Sequence, residues 1–172
     1  MKLTNYSDYA LRSLIYLAIK PEPNALANIS DIAEAYQISR SHLTKIVHQL
    51  GQLGYIESIR GKNGGIRLAK KPEDINLGVL IQQIEPDFAL VDCFASKREE
   101  ESREQNGIPL TVINERINNE VIDPTKLGCV ISPVCQLKGV FFEALTAFIS
   151  VLERYTLADI VHNKGQLARL LA

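Results

Sequence analysis

A glycine-rich hexapeptide, RGKNGG at residues 60–65, separates two short apolar segments and strongly limits how this chain can fold. The flanking segments, YIESI at 55–59 and IRLAK at 66–70, have the apolar and β-branched residues that are typical of strands. Glycine allows the tight reversal that joins antiparallel strands, and Asn63 can adopt a left-handed turn conformation. The sequence therefore predicts a β-hairpin at this point.

Three helices are predicted before the hairpin. Apolar residues at helical spacing indicate a first helix over about 5–19, capped by Thr4. Ser30 is the expected cap of a short second helix, and Ser39 that of a third, which ends near Gly54. This order, with the hairpin behind it, is typical of a winged helix-turn-helix.

The chain divides into three predicted parts. Residues 1–75 form a mainly α winged helix-turn-helix domain with a small β-hairpin, and residues 76–132 hold a linker helix, a loop and a polar insertion at about 97–126. Residues 133–172 hold a long amphipathic helix, about 134–155, and a C-terminal segment. The apolar stripe of the long helix is wider than one small domain needs, which favours a dimer interface over an intrachain core.

Charge is unevenly distributed along the chain. Residues 1–71 carry ten Lys/Arg against five Asp/Glu, whereas residues 72–172 carry nine against fifteen, so the net charge changes from +5 to −6. A basic first part predicts a nucleic-acid-binding module. The sequence has no apolar run long enough for a membrane helix and no signal-peptide pattern, so we expect a cytoplasmic protein with no membrane partner.

Polar and basic side chains occupy the two elements that would contact double-stranded DNA. In the first turns of the third helix, where a recognition helix reaches base edges and phosphates, they are Ser39, Arg40, Ser41, His42, Thr44 and Lys45. In the wing they are Arg60, Gly61, Lys62, Asn63, Gly64 and Gly65, whose glycines would allow close approach to the phosphates or the minor groove. Each residue alone fits an ordinary solvated surface, but the ordered pattern favours DNA binding.

The three cysteines, Cys93, Cys129 and Cys135, have two possible roles. Thiolates suit soft iron centres, so a shared metal or iron–sulfur site is one, and small buried hydrophobic residues are the other. Spacing alone leaves both open. Asp8 and Arg12 lie one helical turn apart, which predicts an ordinary ion pair. No acid–base constellation or substrate-binding glycine loop accompanies the thiols, so we do not expect an enzyme.

Several long motifs together resemble the Rrf2 family of winged-helix regulators, and within it the nitric-oxide-sensitive repressors. They are LTNYSDYALRSLIYLA, ISRSHLTKIVHQLGQLGYIESIRGKNGGIRLA, VDCF and CVISPVCQLKGVFFEALTAFISVLERYTLADI. The resemblance implies a homodimer that binds an inverted-repeat operator and carries an iron–sulfur cluster, 4Fe-4S or alternatively 2Fe-2S. Nitric oxide would nitrosylate the cluster and relieve repression of nitric-oxide stress genes.

The resemblance also implies roles for individual residues. Cys93, Cys129 and Cys135 match the family's cysteine ligands, and Asp8 matches an aspartate that completes the cluster of the other subunit. Arg12 would then lie between the cluster and the DNA-facing elements. A related iron–sulfur assembly regulator has a histidine ligand three residues after its last cysteine, where this chain has Lys138, so that subtype is disfavoured.

The insertion is the main departure from the family pattern. The family has five residues between its first two cysteines, whereas 35 separate Cys93 from Cys129 here. Loop-closure scaling puts the cost of the longer link at about 1.7 kcal/mol. Structural metal binding contributes roughly 10 kcal/mol or more, so the insertion affects the lifetime and accessibility of a cluster more than its existence. A thiol-redox or metal-responsive winged-helix repressor without a stable cluster is the alternative.

Overall fold

The structure, a computed structural model, describes residues 3–20, 22, 25–85, 88, 131 and 134–171. The chain divides into two compact units. The first comprises Lys2–Leu77 and Arg154–Ala172, and is called the N-terminal unit below; the second consists chiefly of Gly78–Glu153, and is called the helical unit.

The first two helices begin at side-chain caps. Helix α1 spans Asn5–Ala18, and the hydroxyl of its predicted cap, Thr4, accepts the backbone N–H of Ser7 at 3.3 Å. Helix α2 spans Ile29–Tyr36. It begins earlier than predicted, so Ser30 lies inside it and Asn28 is the cap. The Asp31 carboxylate fixes this start by accepting the Asn28 N–H at 3.1 Å, a capping-box contact.

Helix α3 spans Arg40–Gln52 and follows α2 after a short turn. Gln37 makes this turn in the left-handed conformation, with φ 54°, and Ser39 is the residue that precedes α3 as predicted. The apolar face of α3 is buried against the rest of the N-terminal unit. Its buried residues are Leu43, Ile46, Val47 and Leu50. Helix α1 packs against both α3 and α2, which completes the helix-turn-helix.

Two antiparallel strands form the wing. Strand β1, Ile56–Ile59, pairs with β2, Gly65–Leu68, in the register Ile56 to Leu68 and Ile59 to Gly65. Ile66 is buried and its backbone also exchanges two hydrogen bonds with Ala27, at 2.8 and 3.0 Å. The hairpin is therefore attached to the segment before α2, and the prediction of a mainly α fold with a small β-hairpin is confirmed.

The C-terminal segment completes the N-terminal unit. Helix α6, Leu157–Ile160, packs against α1 and the 3-10 turn Pro72–Asp74. The Leu77 N–H donates to the Tyr155 carbonyl at 2.9 Å, and the Leu157 N–H donates to the Ile75 carbonyl at 2.8 Å. Leu157 is fully buried. A last helix, α7, follows at Lys164–Leu170.

The helical unit contains α4 and the long helix α5. Helix α4 spans Leu77–Ile84, and α5 spans Gln136–Leu152, a little shorter than the predicted 134–155. The start of α4 lies close to the end of α5, because Gly78 contacts Glu153 and the Gln82 amide donates to the Glu153 carboxylate at 3.1 Å. Within the part of the chain that the structure describes, no helix is long and apolar enough to cross a membrane.

Candidate DNA-binding surface and ligand residues

The first turns of α3 present a polar, solvent-exposed face. All six residues predicted to contact DNA are exposed there, opposite the buried face of the helix: Ser39, Arg40, Ser41, His42, Thr44 and Lys45. The Ser39 and Ser41 hydroxyls lie 2.8 Å apart and share a hydrogen bond, and the Thr44 hydroxyl donates to the Arg40 carbonyl at 2.9 Å. The cationic side chains of Arg40 and Lys45 remain open to phosphates, while the hydroxyls are held in fixed positions at the helix start.

The tip of the wing carries two exposed cations, Arg60 and Lys62. A third cation, Arg67, is paired across the strands with Glu57 through contacts of 2.8 and 2.9 Å. Because this pair joins residues that face each other in the register, it supports the hairpin and neutralises one positive charge. The wing therefore offers its positive charge at the tip.

The wing glycines have roles within the chain itself. Gly61 has φ 120°, so the left-handed turn position falls on this glycine. The prediction that Asn63 adopts the left-handed conformation is wrong, because Gln37 is the one non-glycine residue of the described part with positive φ. A Cβ on Gly64 would collide with the Ile59 carbonyl oxygen. A Cβ on Gly65 would lie 2.8 Å from the Ala27 carbonyl oxygen. Close approach to DNA stays a prediction for these glycines, whereas close approach of backbone to backbone is observed.

Asp8 and Arg12 form the ion pair expected from their spacing. The Arg12 Nε lies 2.9 Å from one Asp8 carboxylate oxygen and 3.1 Å from the other. Both side chains are more than two-fifths exposed, at 45% for Asp8 and 43% for Arg12. The Asp8 carboxylate is therefore accessible on the surface of α1 and already has one cationic partner.

The cysteines are only partly described. Cys135 is a free, half-buried thiol at the residue that precedes α5. Cys93 and Cys129 lie outside the described residues. Within the described ranges, no three His, Cys, Asp or Glu side chains are grouped so as to hold a metal ion. A thiolate at Cys135 and a carboxylate at Asp8 are donors that suit iron, so the described members of the predicted ligand set are chemically compatible with a cluster.

Two contacts of α1 were not predicted from the sequence. The Arg12 guanidinium carbon lies 5.6 Å from the centre of the Tyr36 ring, and the Tyr6 hydroxyl donates to the Lys45 carbonyl at 3.4 Å. Both join residues that are distant in the sequence, so helical spacing gives no signal for them. Burial raises the pKa of Tyr36, with a smaller opposite contribution from the Arg12 charge, so its phenol is neutral at ordinary pH.

A family model and several curated relatives match almost the whole chain. The model is described as "Rrf2: Iron-dependent Transcriptional regulator" and matches residues 3–163. The "HTH-type transcriptional regulator NsrR" of Bacillus subtilis (strain 168) is 47% identical over 99% of this chain and 97% of its own length. The proteins of the same name from Bacillus licheniformis and Shouchella clausii are 46% and 44% identical over 100% and 99% of this chain, and over 100% and 95% of their own lengths.

Solved structures support the winged-helix fold at lower sequence identity. CymR, described as the global cysteine regulator of B. subtilis, is 22% identical with a TM-score of 0.62, and covers 95% of this chain and 98% of its own. IscR of T. potens is 20% identical with a TM-score of 0.60, and covers 95% and 88%. These likenesses concern the fold alone.

Proposed function

The chain belongs to the Rrf2 family of transcriptional regulators, and from this premise we propose that it is a dimeric repressor whose iron–sulfur cluster senses nitric oxide in the cytoplasm. Binding to DNA and regulation of transcription follow from the family, whose members are not enzymes. The observation that carries the finer proposal is the name NsrR, shared by relatives that are 43–47% identical over nearly the full chain. The cluster, the dimer and the nitric-oxide signal are the proposed parts.

The proposed cluster ligands are three cysteines and one carboxylate. Cys93, Cys129 and Cys135 would supply thiolates from one subunit, and Asp8 would supply the carboxylate from the other. The free thiol of Cys135 and the accessible carboxylate of Asp8 support this set. When bound, such a cluster, 4Fe-4S or alternatively 2Fe-2S, supplies iron that reacts with nitric oxide.

The exposed face of α5 supports the homodimer. Apolar residues follow one another at alternating steps of three and four, the spacing of a coiled-coil seam: Leu137, Val140, Ala144, Ala147 and Val151. All five are exposed in the single chain, whereas Leu145 and Ile149 on another face are buried. Small alanines in the middle of the seam allow two helix backbones to approach closely. A second copy of α5 is therefore the proposed occupant of this face.

The dimer would place two recognition helices on one DNA molecule. Two-fold symmetry in the protein is matched by an inverted repeat in the operator, with half-sites read by α3 of each subunit. Arg40 and Lys45 on α3, with Arg60 and Lys62 on the wing, would neutralise phosphates. Polar side chains at the start of α3 would read base edges in the major groove.

The regulatory step is proposed to involve the two alternative partners of Asp8. In the single chain the Asp8 carboxylate accepts from Arg12 at 2.9 Å. A carboxylate bound to iron has less charge and fewer lone pairs to offer Arg12, so ligation would weaken the ion pair and leave the guanidinium available beside the DNA-facing elements. Loss of that ligation would restore the pair, shift Arg12 on α1 and lower operator affinity. The genes then released would be those that answer nitric-oxide stress.

The proposal is tested by anaerobic purification followed by iron and sulfide analysis, an absorption spectrum and a mass measurement. We expect a coloured dimer with iron and sulfide, whose affinity for its operator falls after nitric oxide is added. A colourless, iron-free dimer with full and nitric-oxide-insensitive DNA affinity would refute the cluster. A disulfide between Cys93 and Cys129 or Cys135 on oxidation, with loss of DNA affinity, would instead support the thiol-redox alternative.

The role of Asp8 is tested separately. Asp8→Ala should leave the fold intact, since the side chain is exposed and its ion pair with Arg12 is weak. It should alter the stability of the cluster or its response to nitric oxide, measured from the decay of the absorption spectrum. Behaviour identical to the wild type would remove Asp8 from the ligand set.

A further inference from the structure

Arg12 lies between two partners of different kinds. The Nε edge of its guanidinium contacts Asp8 on the same helix, and the guanidinium carbon lies 5.6 Å from the centre of the Tyr36 ring on α2. An exposed ion pair one helical turn apart and a cation–π contact at an exposed site are similar in strength. Neither partner alone dominates, so removing one leaves the other to decide where Arg12 lies.

The Tyr36 ring is itself held by α1. Tyr16 contacts it edge to face, with ring centres 6.4 Å apart and planes at 64°. Lys20 lies 4.5 Å above the Tyr16 ring and donates to the Tyr16 hydroxyl at 3.2 Å. Asp8, Arg12 and Tyr16 are four residues apart in turn, so they form one row along α1, and Lys20 follows just beyond the end of the helix. The Tyr36 ring lies against Arg12 and Tyr16 of this row.

Tyr36 occupies a position that matters for the recognition helix. It is the last residue of α2, and the next residue, Gln37, makes the left-handed turn that leads to Ser39 and α3. Ile38 in this turn is buried. A contact made at Tyr36 is therefore only four residues before Arg40, the first residue of the helix that would read DNA.

We propose that Tyr36 is a positioning residue: its ring keeps Arg12 against the end of α2 when Asp8 has another partner. The inference rests on the proposed function in taking iron as that other partner. With Asp8 engaged, the guanidinium stays on the ring and remains next to the turn before α3, where it contributes to operator binding. Without the Tyr36 ring, Arg12 would have no fixed position on this surface once Asp8 no longer pairs with it.

The contact is tested in the cluster-free chain, where Asp8→Ala removes the first partner without any need for iron. Tyr36→Leu removes the ring and keeps apolar volume, and Tyr36→Phe is the matched control because it keeps the ring. NMR should show the Arg12 side-chain methylene signals shifted by the ring in Asp8→Ala and in Asp8→Ala with Tyr36→Phe. The shift should be absent with Tyr36→Leu. Equal Arg12 signals in all three proteins would overturn the inference.

The consequence is tested by the affinity of the same full-length proteins for an operator selected with the wild-type protein. In the Asp8→Ala background, Tyr36→Leu should lower affinity by about two- to fivefold relative to Tyr36→Phe, the fold-change that matches one exposed cation–π contact. In an Arg12→Gln background, the two Tyr36 variants should bind equally. A loss of the same size with Arg12→Gln would make Tyr36 merely structural and overturn the inference. Failure of the cluster proposal would appear in the iron and sulfide analysis and would leave both of these comparisons unchanged.

Discussion

Substitution of alanine for Gly65 should loosen the attachment of the wing to the N-terminal unit. The new Cβ would lie 2.8 Å from the Ala27 carbonyl oxygen and 3.0 Å from the Leu26 Cβ. The Ala27 backbone cannot yield without disturbing its two hydrogen bonds to Ile66, at 2.8 and 3.0 Å. Each such bond contributes about 0.5–1.5 kcal/mol, and forced overpacking costs about 1–3 kcal/mol. We therefore expect the free energy of unfolding to fall by about 1–3 kcal/mol.

The assay is urea unfolding followed by circular dichroism, with operator affinity measured in parallel. Gly51→Ala is the matched control, because Gly51 lies inside α3 and its added Cβ would lie at an ordinary contact distance of 3.7 Å from the Ile56 carbonyl oxygen. Helix propensity predicts that this control gains about 0.5–1 kcal/mol. Gly65→Ala should also weaken operator binding, since a displaced wing moves Arg60 and Lys62. Equal stability of the two variants would refute the reasoning from backbone contact.

Three further predictions concern other parts of the chain. Gly78→Ala should destabilise the helical unit by about 1–3 kcal/mol in the same urea assay, because its Cβ would lie 2.8 Å from the Glu153 nitrogen; an unchanged midpoint would contradict this. Val140→Glu should convert the proposed dimer to a monomer in light scattering, whereas Thr146→Glu, away from the seam, should not; dimers formed by both variants would exclude this seam. Capping hydrogen bonds from Thr156 lower the pKa of Asp159, so Asp159→Asn should be less stable than the wild type above the ordinary pKa of 3.8. The difference should vanish as the pH falls through the lowered pKa, and a pH-independent difference would argue against the cap.

Much of the N-terminal unit follows from local signals in the sequence. Thr4 and Ser39 precede α1 and α3 as predicted, because hydroxyl residues are favoured in front of a helical pattern. The Thr4 hydroxyl accepts a capping hydrogen bond, whereas the Ser39 hydroxyl bonds to that of Ser41. The error at α2 has a local cause as well: Asn28 and Ser30 are both good caps, and the Asp31 carboxylate, three residues after Asn28, selects the earlier start. The wing was also predictable, although Gly61, not Asn63, has the left-handed conformation.

The candidate site was less predictable because its contacts join distant segments. The spacing of Asp8 and Arg12 predicts their ion pair, since four residues make one helical turn. The Tyr36 ring reaches Arg12 only because α2 packs on α1, and no periodicity within either helix encodes that crossing. Cys93 and Cys129 lie outside the described residues, so their assignment as ligands stays a prediction.

The return of the C-terminal segment has a consequence for the order in which the protein is made. Leu157 and Val161 are fully buried in the N-terminal unit, whose other residues end at Leu77. On the ribosome, the DNA-binding unit therefore has to wait for about eighty further residues, including the insertion, before its core can close. A nascent or truncated chain that stops before residue 154 would leave Ile75 without its backbone partner Leu157. Completion of synthesis is in this sense a condition for a finished DNA-binding unit, so incomplete chains would compete poorly for the operator.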